Sequence, residues 1–281
     1  MKNGRGLAEG VKVIITGASS GIGKALAVHL ASNYRAKLVL NARSEKLLES
    51  TVKLVEAAGG CAIGVAGDIA DERLSKQLTD TCLEKFEGVD ILVNNAGLAK
   101  PGKIDELTPD DWKYVFGVNF FGALYATYAV LPQFFAQGHG KIVNVSSVAG
   151  KVSFPGSVCY AASKFAMTGM SEGMGAELAT KNIDVITVCP GWVRTEFFEK
   201  NNVGQRKNPT TIAEKNDIEG WLMRHWLSIS SEECAQEVVA ALNAGGSREL
   251  ILTMPGVVVE RLASLFPHLR YALGKRIPAE R

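Results

Sequence analysis

Paired cysteines are missing from this sequence. Cys61, Cys82, Cys159, Cys189 and Cys234 are odd in number, widely spaced and free of any C-x-x-C pair. That argues against a disulfide framework or a zinc site, and for buried thiols in a reducing compartment. A surplus of either charge is missing too. The 31 Lys and Arg face 29 Asp and Glu, so the balance gives nucleic-acid binding no support. No apolar run precedes Val11, and a cleaved secretory signal is not expected in the chain as it stands. No repeat, low-complexity tract or linker divides the 281 residues, which points to one domain over 1–281.

Charge is also missing locally. From Tyr114 to Gly140 there is no Asp, Glu, Lys or Arg. A hydropathy count alone would make this a membrane span. The segment holds Asn119, Gly122, Thr127, Pro132 and Gln133 and has no solid apolar stretch. The expectation is therefore a helix buried on most sides, with a subunit interface as one candidate cover.

Apolar mass is present in full. Hydrophobic residues make up 47% of the chain, enough for a complete core. They fall in short runs that alternate with helical patterns. Strands are expected at Val11–Thr16, Lys37–Leu40, Cys61–Ala66, Asp90–Val93, Lys141–Val145, Asp184–Val188 and Glu249–Leu252. Helices are expected at Gly23–Ser32, from an N-cap at Ser44 to Ala58, at Asp71–Phe86, after Thr108-Pro109-Asp110-Asp111, at Cys159–Ala179, and at Cys234–Ala244 behind a Ser230/Glu233 capping box. Short apolar strands alternating with helices indicate an α/β, doubly wound parallel sheet covered on both faces. Its ligand site belongs at the carboxyl ends of the strands.

Four motifs fall at such ends. Thr16-Gly17-Ala18-Ser19-Ser20-Gly21-Ile22-Gly23 lies between the first strand and the first helix. Its glycines let backbone approach a diphosphate, and the helix start offers free N–H groups and a positive dipole end. Leu40-Asn41-Ala42-Arg43 ends strand two. An NAD-selective site places an acid there, about 20 residues past the glycines. None is present, and Arg43 can pair with a 2′-phosphate or stand as a solvated surface arginine. Asn94-Asn95-Ala96-Gly97 follows strand four and either admits a cofactor or forms an ordinary turn. Tyr160 and Lys164 lie on one helix face, with Ser146-Ser147 upstream. A nearby ammonium is expected to favour the phenolate and lower the tyrosine pKa.

Together these motifs resemble the short-chain dehydrogenase/reductase family, in the branch with a T-G-x-x-x-G-x-G loop. The resemblance runs from about Val11 to Leu252. It implies a Rossmann-like fold and a catalytic set of Asn119, Ser147, Tyr160 and Lys164, with Ser146 ranked behind Ser147. It implies cofactor contacts from Gly17, Ser19, Ser20, Gly21, Ile22, Gly23, Arg43, Asp68, Ile69, Asn95, Ala96, Gly97, Tyr160, Lys164, Pro190, Gly191, Val193 and Thr195. Arg43 matches the NADP-preferring subset, so NADP(H) is the expected cofactor.

The implied reaction is hydride transfer between nicotinamide and a carbonyl or secondary alcohol. Tyr160 would move the proton on the substrate oxygen. Lys164 would depress the tyrosine and hold the ribose, Ser147 would polarise the oxygen, and Asn119 would hold a water that relays protons. The alternative is a non-catalytic NADP-binding regulator on the same fold. Such a protein would be free to lose Tyr160 or Lys164, and both are kept.

Two segments depart from the compact members. The stretch 194–228 reads as an excursion over the substrate, and a C-terminal extension runs from Gly256. Phe154, Trp192, Phe197, Phe198, Trp221 and Trp226 are candidate apolar walls or, equally, core residues; the expected substrate is an apolar ketone of steroid-, acyl- or quinone-like type. The tail Val257–Phe266, followed by Pro267, Arg270, Lys275 and Arg276, sets apolar residues beside basic ones. It is a candidate peripheral membrane contact, against a helix packed on protein. A homodimer or homotetramer is expected, with a cytoplasmic location and a peripheral-membrane one as the alternative.

Overall fold

In strand β1 (Lys12–Thr16), Val13 and Ile15 point to one face of the sheet and Ile14 to the other. All three are fully buried. The next strand, β2 (Lys37–Ala42), repeats this with Leu38 and Leu40 against Val39. A strand covered on both faces carries no polar alternation, which is why these read as unbroken apolar runs.

The computed structural model describes residues 6–197, 201, 213, 214, 217 and 223–266. The remaining strands are β3 (Cys61–Ala66), β4 (Ile91–Asn94), β5 (Gly140–Val145), β6 (Ile183–Pro190), β7 (Trp192–Arg194), β8 (Ser228–Ser230) and β9 (Arg248–Leu252). Seven of them form one parallel sheet in the order β3-β2-β1-β4-β5-β6-β9. The order reverses between β1 and β4, and a crevice opens there at the carboxyl ends. One face is covered by α1 (Gly21–Tyr34), α2 (Glu45–Ala57) and α7 (Ser231–Ala244). The other is covered by α3 (Glu72–Phe86), α4 (Pro109–Phe116), α5 (Gly122–Gln137) and α6 (Val158–Leu178). A last helix, α8 (Met254–Leu265), follows β9.

The helix starts follow local chemistry. The Ser44 side chain accepts from Leu47 N, and the Asp71 side chain accepts from Arg73 N. Thr108 with Asp111, and Ser230 with Glu233, close reciprocal capping boxes. Helix α1 starts two residues earlier than expected, at Gly21, so the glycine turn itself becomes the first helical turn.

The uncharged stretch departs from expectation. By length and composition, Pro109–Gln137 is long and apolar enough to cross a membrane, yet here it is a half-buried helix on the sheet. It is not buried on most sides. Ala126, Val130 and Phe134 face the core, while Tyr114, Phe121, Tyr128 and Phe135 face outward. Between α4 and α5 the backbone loosens into a π-helical turn, Gly117–Phe121, which carries Asn119. Such turns gather at functional positions. Most of the expected excursion at 194–228, with Phe198 and Trp221, lies outside the described residues, as do Pro267, Arg270, Lys275 and Arg276.

Candidate active site

A cavity of about 1490 Å³ occupies the crevice. One wall is the turn from β1 into α1. Gly17 has φ +66°, where L side chains are strained, and a Cβ there would come within 2.7 Å of Ala96 Cα. Gly23 lies behind the cavity wall, where a Cβ would come within 2.6 Å of Gly17 O. It serves close packing of α1 on the sheet. No side chain caps α1 at Ser20 and no acid stands in its first turn. The start of this helix can therefore receive an anion, and the backbone cradle fits a diphosphate.

The β4 turn is sewn to that wall. Asn95 Nδ2 donates to Thr16 O and Gly17 O, both at 3.0 Å. Thr16 Oγ1 accepts from the backbone N–H groups of Asn95 and Ala96. Gly17, Ser19, Ser20, Gly21, Ile22, Asn95, Ala96 and Gly97 all line the cavity.

Strand β2 ends on a different logic. Asn41 is buried and donates to Val65 O and Gly67 O, so its side chain holds backbone. Arg43 is exposed at the rim, and its Nη1 donates to the Tyr114 hydroxyl at 2.7 Å. Asp68 and Ile69 line the same end of the cavity. The Asp68 carboxylate accepts from Ala70 N, which fixes the turn.

At the floor, Ser147, Tyr160 and Lys164 come together. The Ser147 side chain accepts from Ala149 N and lies close enough to Tyr160 to act on its phenol. The Tyr160 ring meets the cavity, but the surrounding walls withdraw it from bulk water. That burial pushes its pKa up to about 12, against the lowering effect of Ser147. Burial also brings Lys164 down to about 8. The ammonium lies 5.9 Å from the Tyr160 ring centre and donates to Val145 O at 2.9 Å. The net shift of the tyrosine is upward, opposite to the expected lowering, because desolvation outweighs the other effects. Desolvation moves both groups toward their neutral forms. Ser146 turns away from Tyr160, donates to Lys164 O and shares a hydrogen bond with Thr168 Oγ1.

Asn119 stands behind the cavity wall. It is fully buried and does not line the cavity. Its Nδ2 donates to Leu98 O and Ser163 Oγ, and its Oδ1 accepts from Leu98 N at 2.8 Å. With both amide protons engaged, the side chain fastens the β4 turn to α6. Ser163 Oγ in turn donates to the Tyr160 carbonyl at 2.7 Å.

The far wall comes from the end of β6. Pro190, Gly191, Val193 and Thr195 line the cavity, and Thr195 Oγ1 accepts from Phe197 N. Phe154, Trp192 and Phe197 are apolar walls, with the Phe197 ring 6.0 Å from that of Tyr160. Trp226 is exposed and is not a wall. Sequence reasoning missed the mouth. Gly102 N donates to Gly156 O, and Ala99 N to Asn201 Oδ1 at 2.8 Å, joining loops far apart in the chain. It also missed Pro255, Gly256 and Val259 of α8, which line the cavity beside Thr253. The Gly102 and Gly156 punctuation was the available signal for the loops. The described residues hold no cluster of three or more metal-ligating side chains.

Known proteins match this arrangement. The short chain dehydrogenase family model covers residues 11–206. A 3-oxoacyl-[acyl-carrier-protein] reductase of Synechocystis is 36% identical over 189 residues, which is 67% of this chain and 76% of that protein. SadH of Mycobacterium tuberculosis, named only as an oxidoreductase, is 33% identical over 259 residues, 92% of this chain and 91% of its own. Among solved structures, a short chain dehydrogenase from Mycobacterium paratuberculosis bound to NAD superposes with a TM-score of 0.74 at 27% identity. That match covers 88% of this chain and 98% of the other. With the motif spacing, the reversed strand order and the Ser147–Tyr160–Lys164 floor behind it, the chain belongs to the short-chain dehydrogenase/reductase family, a family of nicotinamide-dependent oxidoreductases.

Proposed function

We propose that this oxidoreductase interconverts an apolar ketone and its secondary alcohol with NADP(H). The observation that carries the reading is the meeting of Ser147, Tyr160 and Lys164 at the floor of a cavity whose other end is a glycine cradle. When bound, the nicotinamide cofactor supplies or accepts the hydride. The chain's own residues handle the oxygen and its proton. Tyr160, neutral up to about pH 12, holds the proton destined for the substrate oxygen. Ser147, beside Tyr160 on the cavity floor, polarises that oxygen. Lys164 holds a positive charge beside the pair below about pH 8 and binds the nicotinamide ribose. Asn119 is a positioning residue, through Leu98 and Ser163.

The preference for NADP(H) rests on Arg43 at the rim and on the absence of an acid at the end of β2. The relative bound to NAD is a different protein, and its cofactor does not decide this one. The apolar substrate class rests on Leu98, Val148, Phe154, Phe197 and Val259 in the walls. A screen of NADPH oxidation against ketosteroids, ketoacyl thioesters, quinones and small aldehydes, each run beside Tyr160→Phe, tests the reading. No turnover with any class would refute it.

The assembly proposed is a homodimer or homotetramer in the cytoplasm. Outward Phe121 on the π-helical turn, Tyr128 and Phe135 on α5 and Phe165 on α6 offer an apolar face for a second copy. Light scattering that reports a monomer at micromolar concentration counts against it. On α8, Met254, Val258, Leu262 and Leu265 are exposed, and this supports peripheral membrane contact as the alternative location. Flotation with liposomes tests that alternative, and a chain left wholly at the bottom of the gradient removes it.

A further inference from the structure

The adenosine end of the cavity carries one contact that the hydride chemistry does not use. Arg43 follows β2, and its Nη1 donates to the Tyr114 hydroxyl at 2.7 Å, although the two residues are 71 apart in the chain. Tyr114 belongs to α4, whose start is fastened by the Thr108–Asp111 capping box with Pro109. Between the two elements lies the turn after β3. Gly67 N donates to Ala42 O at 3.0 Å, and Ile69 packs against Gly122 at the start of α5. The Arg43–Tyr114 bond therefore reaches from the end of β2 to the α4–α5 helix across this turn. Arg43, Asp68 and Ile69 line the cavity, and Tyr114 stands outside it.

The chemistry of the pair is specific. An exposed arginine samples many rotamers, and binding an anion requires it to give up that freedom. A tether to a phenol on a capped helix removes part of the freedom beforehand. The guanidinium has five N–H donors, and this tether uses one of them. A phenol that accepts a hydrogen bond keeps its own proton to donate. The rim thus presents a held cation whose remaining donors suit a phosphate monoester, with little to offer a ribose hydroxyl.

We propose that Tyr114 is a positioning residue that sets cofactor specificity, holding the Arg43 guanidinium ready for the adenosine 2′-phosphate. This rests on the NADP(H) reading above. The test titrates NADPH and NADH by fluorescence into the full-length wild type, Tyr114→Phe, Arg43→Ala and the double variant. Tyr114→Phe keeps the ring and removes only the oxygen. The expected result is a threefold to tenfold rise in the NADPH Kd, about what one hydrogen bond gives. The NADH Kd should stay unchanged, and the effect should vanish in the Arg43→Ala background. A merely structural role would weaken both cofactors alike, and that result would overturn the proposal. An added loss in the Arg43→Ala background would overturn it too, since Tyr114 would then act without Arg43. Unchanged NADPH binding in Tyr114→Phe, with preference lost in Arg43→Ala, would overturn this inference alone. A wild type that does not prefer NADPH would overturn the NADP(H) reading and this inference with it.

Discussion

Lys164 and Tyr160 stand one helical turn apart, and Lys164 Nζ lies 5.9 Å from the centre of the Tyr160 ring. The lysine gives a hydrogen bond to Val145 O at the end of β5, and Ser147, two residues further on, stands beside the tyrosine. Burial holds the phenol protonated, pushed up to about 12, and draws the lysine down to about 8.

That relationship sets a pH dependence for carbonyl reduction. In the proposed mechanism the reducing form needs a protonated Tyr160 and a charged Lys164. Tyr160 stays protonated well past neutrality, so the lysine loses its proton first. We expect kcat/KM for reduction to be level below pH 8 and to fall as pH rises through about 8. A pH profile in constant-ionic-strength buffers checks this. A profile level to pH 10 would mean that Lys164 keeps its proton in the working enzyme.

Tyr160→Phe removes the proposed proton donor with little change in volume. Turnover should drop by about a hundredfold to ten-thousandfold, the usual reach of general acid catalysis. Cofactor binding should persist, because the glycine cradle is intact. Steady-state rates beside a cofactor titration separate the two effects.

Arg43→Ala should cut affinity for NADPH by about tenfold to a hundredfold, since charge-assisted hydrogen bonds contribute about 1.5–3 kcal/mol each. Ala42→Asp with Arg43→Ala should reverse the preference. The measurement is kcat/KM for both cofactors on all three proteins.

Asn119→Ala should act on stability as well as rate. It would strip Leu98 of both side-chain partners in a fully buried place. Each buried polar group left unpaired costs about 1–3 kcal/mol. Urea denaturation should show a lower midpoint at an unchanged slope.

Thiol reactivity should split one against four. Cys61 is exposed, whereas Cys82, Cys159, Cys189 and Cys234 are buried. Burial pushes Cys82, Cys189 and Cys234 up to about 12. Under native conditions a thiol reagent should titrate one equivalent quickly and the rest only on unfolding.

Much of this architecture is legible in the sequence, because local chemistry writes it. The strand Cys61–Ala66 ends where its apolar run ends, and the Ser44, Asp71, Thr108 and Ser230 caps mark helix starts by their own hydrogen bonds. Residues that depend on several distant segments were less legible. Asn119 reads as a site residue by its position in the chain, but its engagement with Leu98 and Ser163 follows from a π-helical turn that no periodicity signals. Arg43 was readable and Tyr114 was not, since nothing at 114 announces a partner 71 residues away. The direction of the Tyr160 shift was misread because charge proximity is visible in a motif, while desolvation belongs to the walls around it.

The four-residue turn from Asn95 to Leu98 has a consequence for anyone remodelling this molecule. One end is tied to Gly17 in the cradle, and the other, through Asn119 and Ser163, to the backbone that carries Tyr160. The turn works as a gauge block between two tools, the cradle proposed to seat the cofactor and the tyrosine proposed to hold the proton. Libraries aimed at new substrates should leave that block alone and draw their diversity from the mouth, where Gly102 meets Gly156 and Ala99 meets Asn201. Spacing along the reaction axis would then survive while the entrance changes shape.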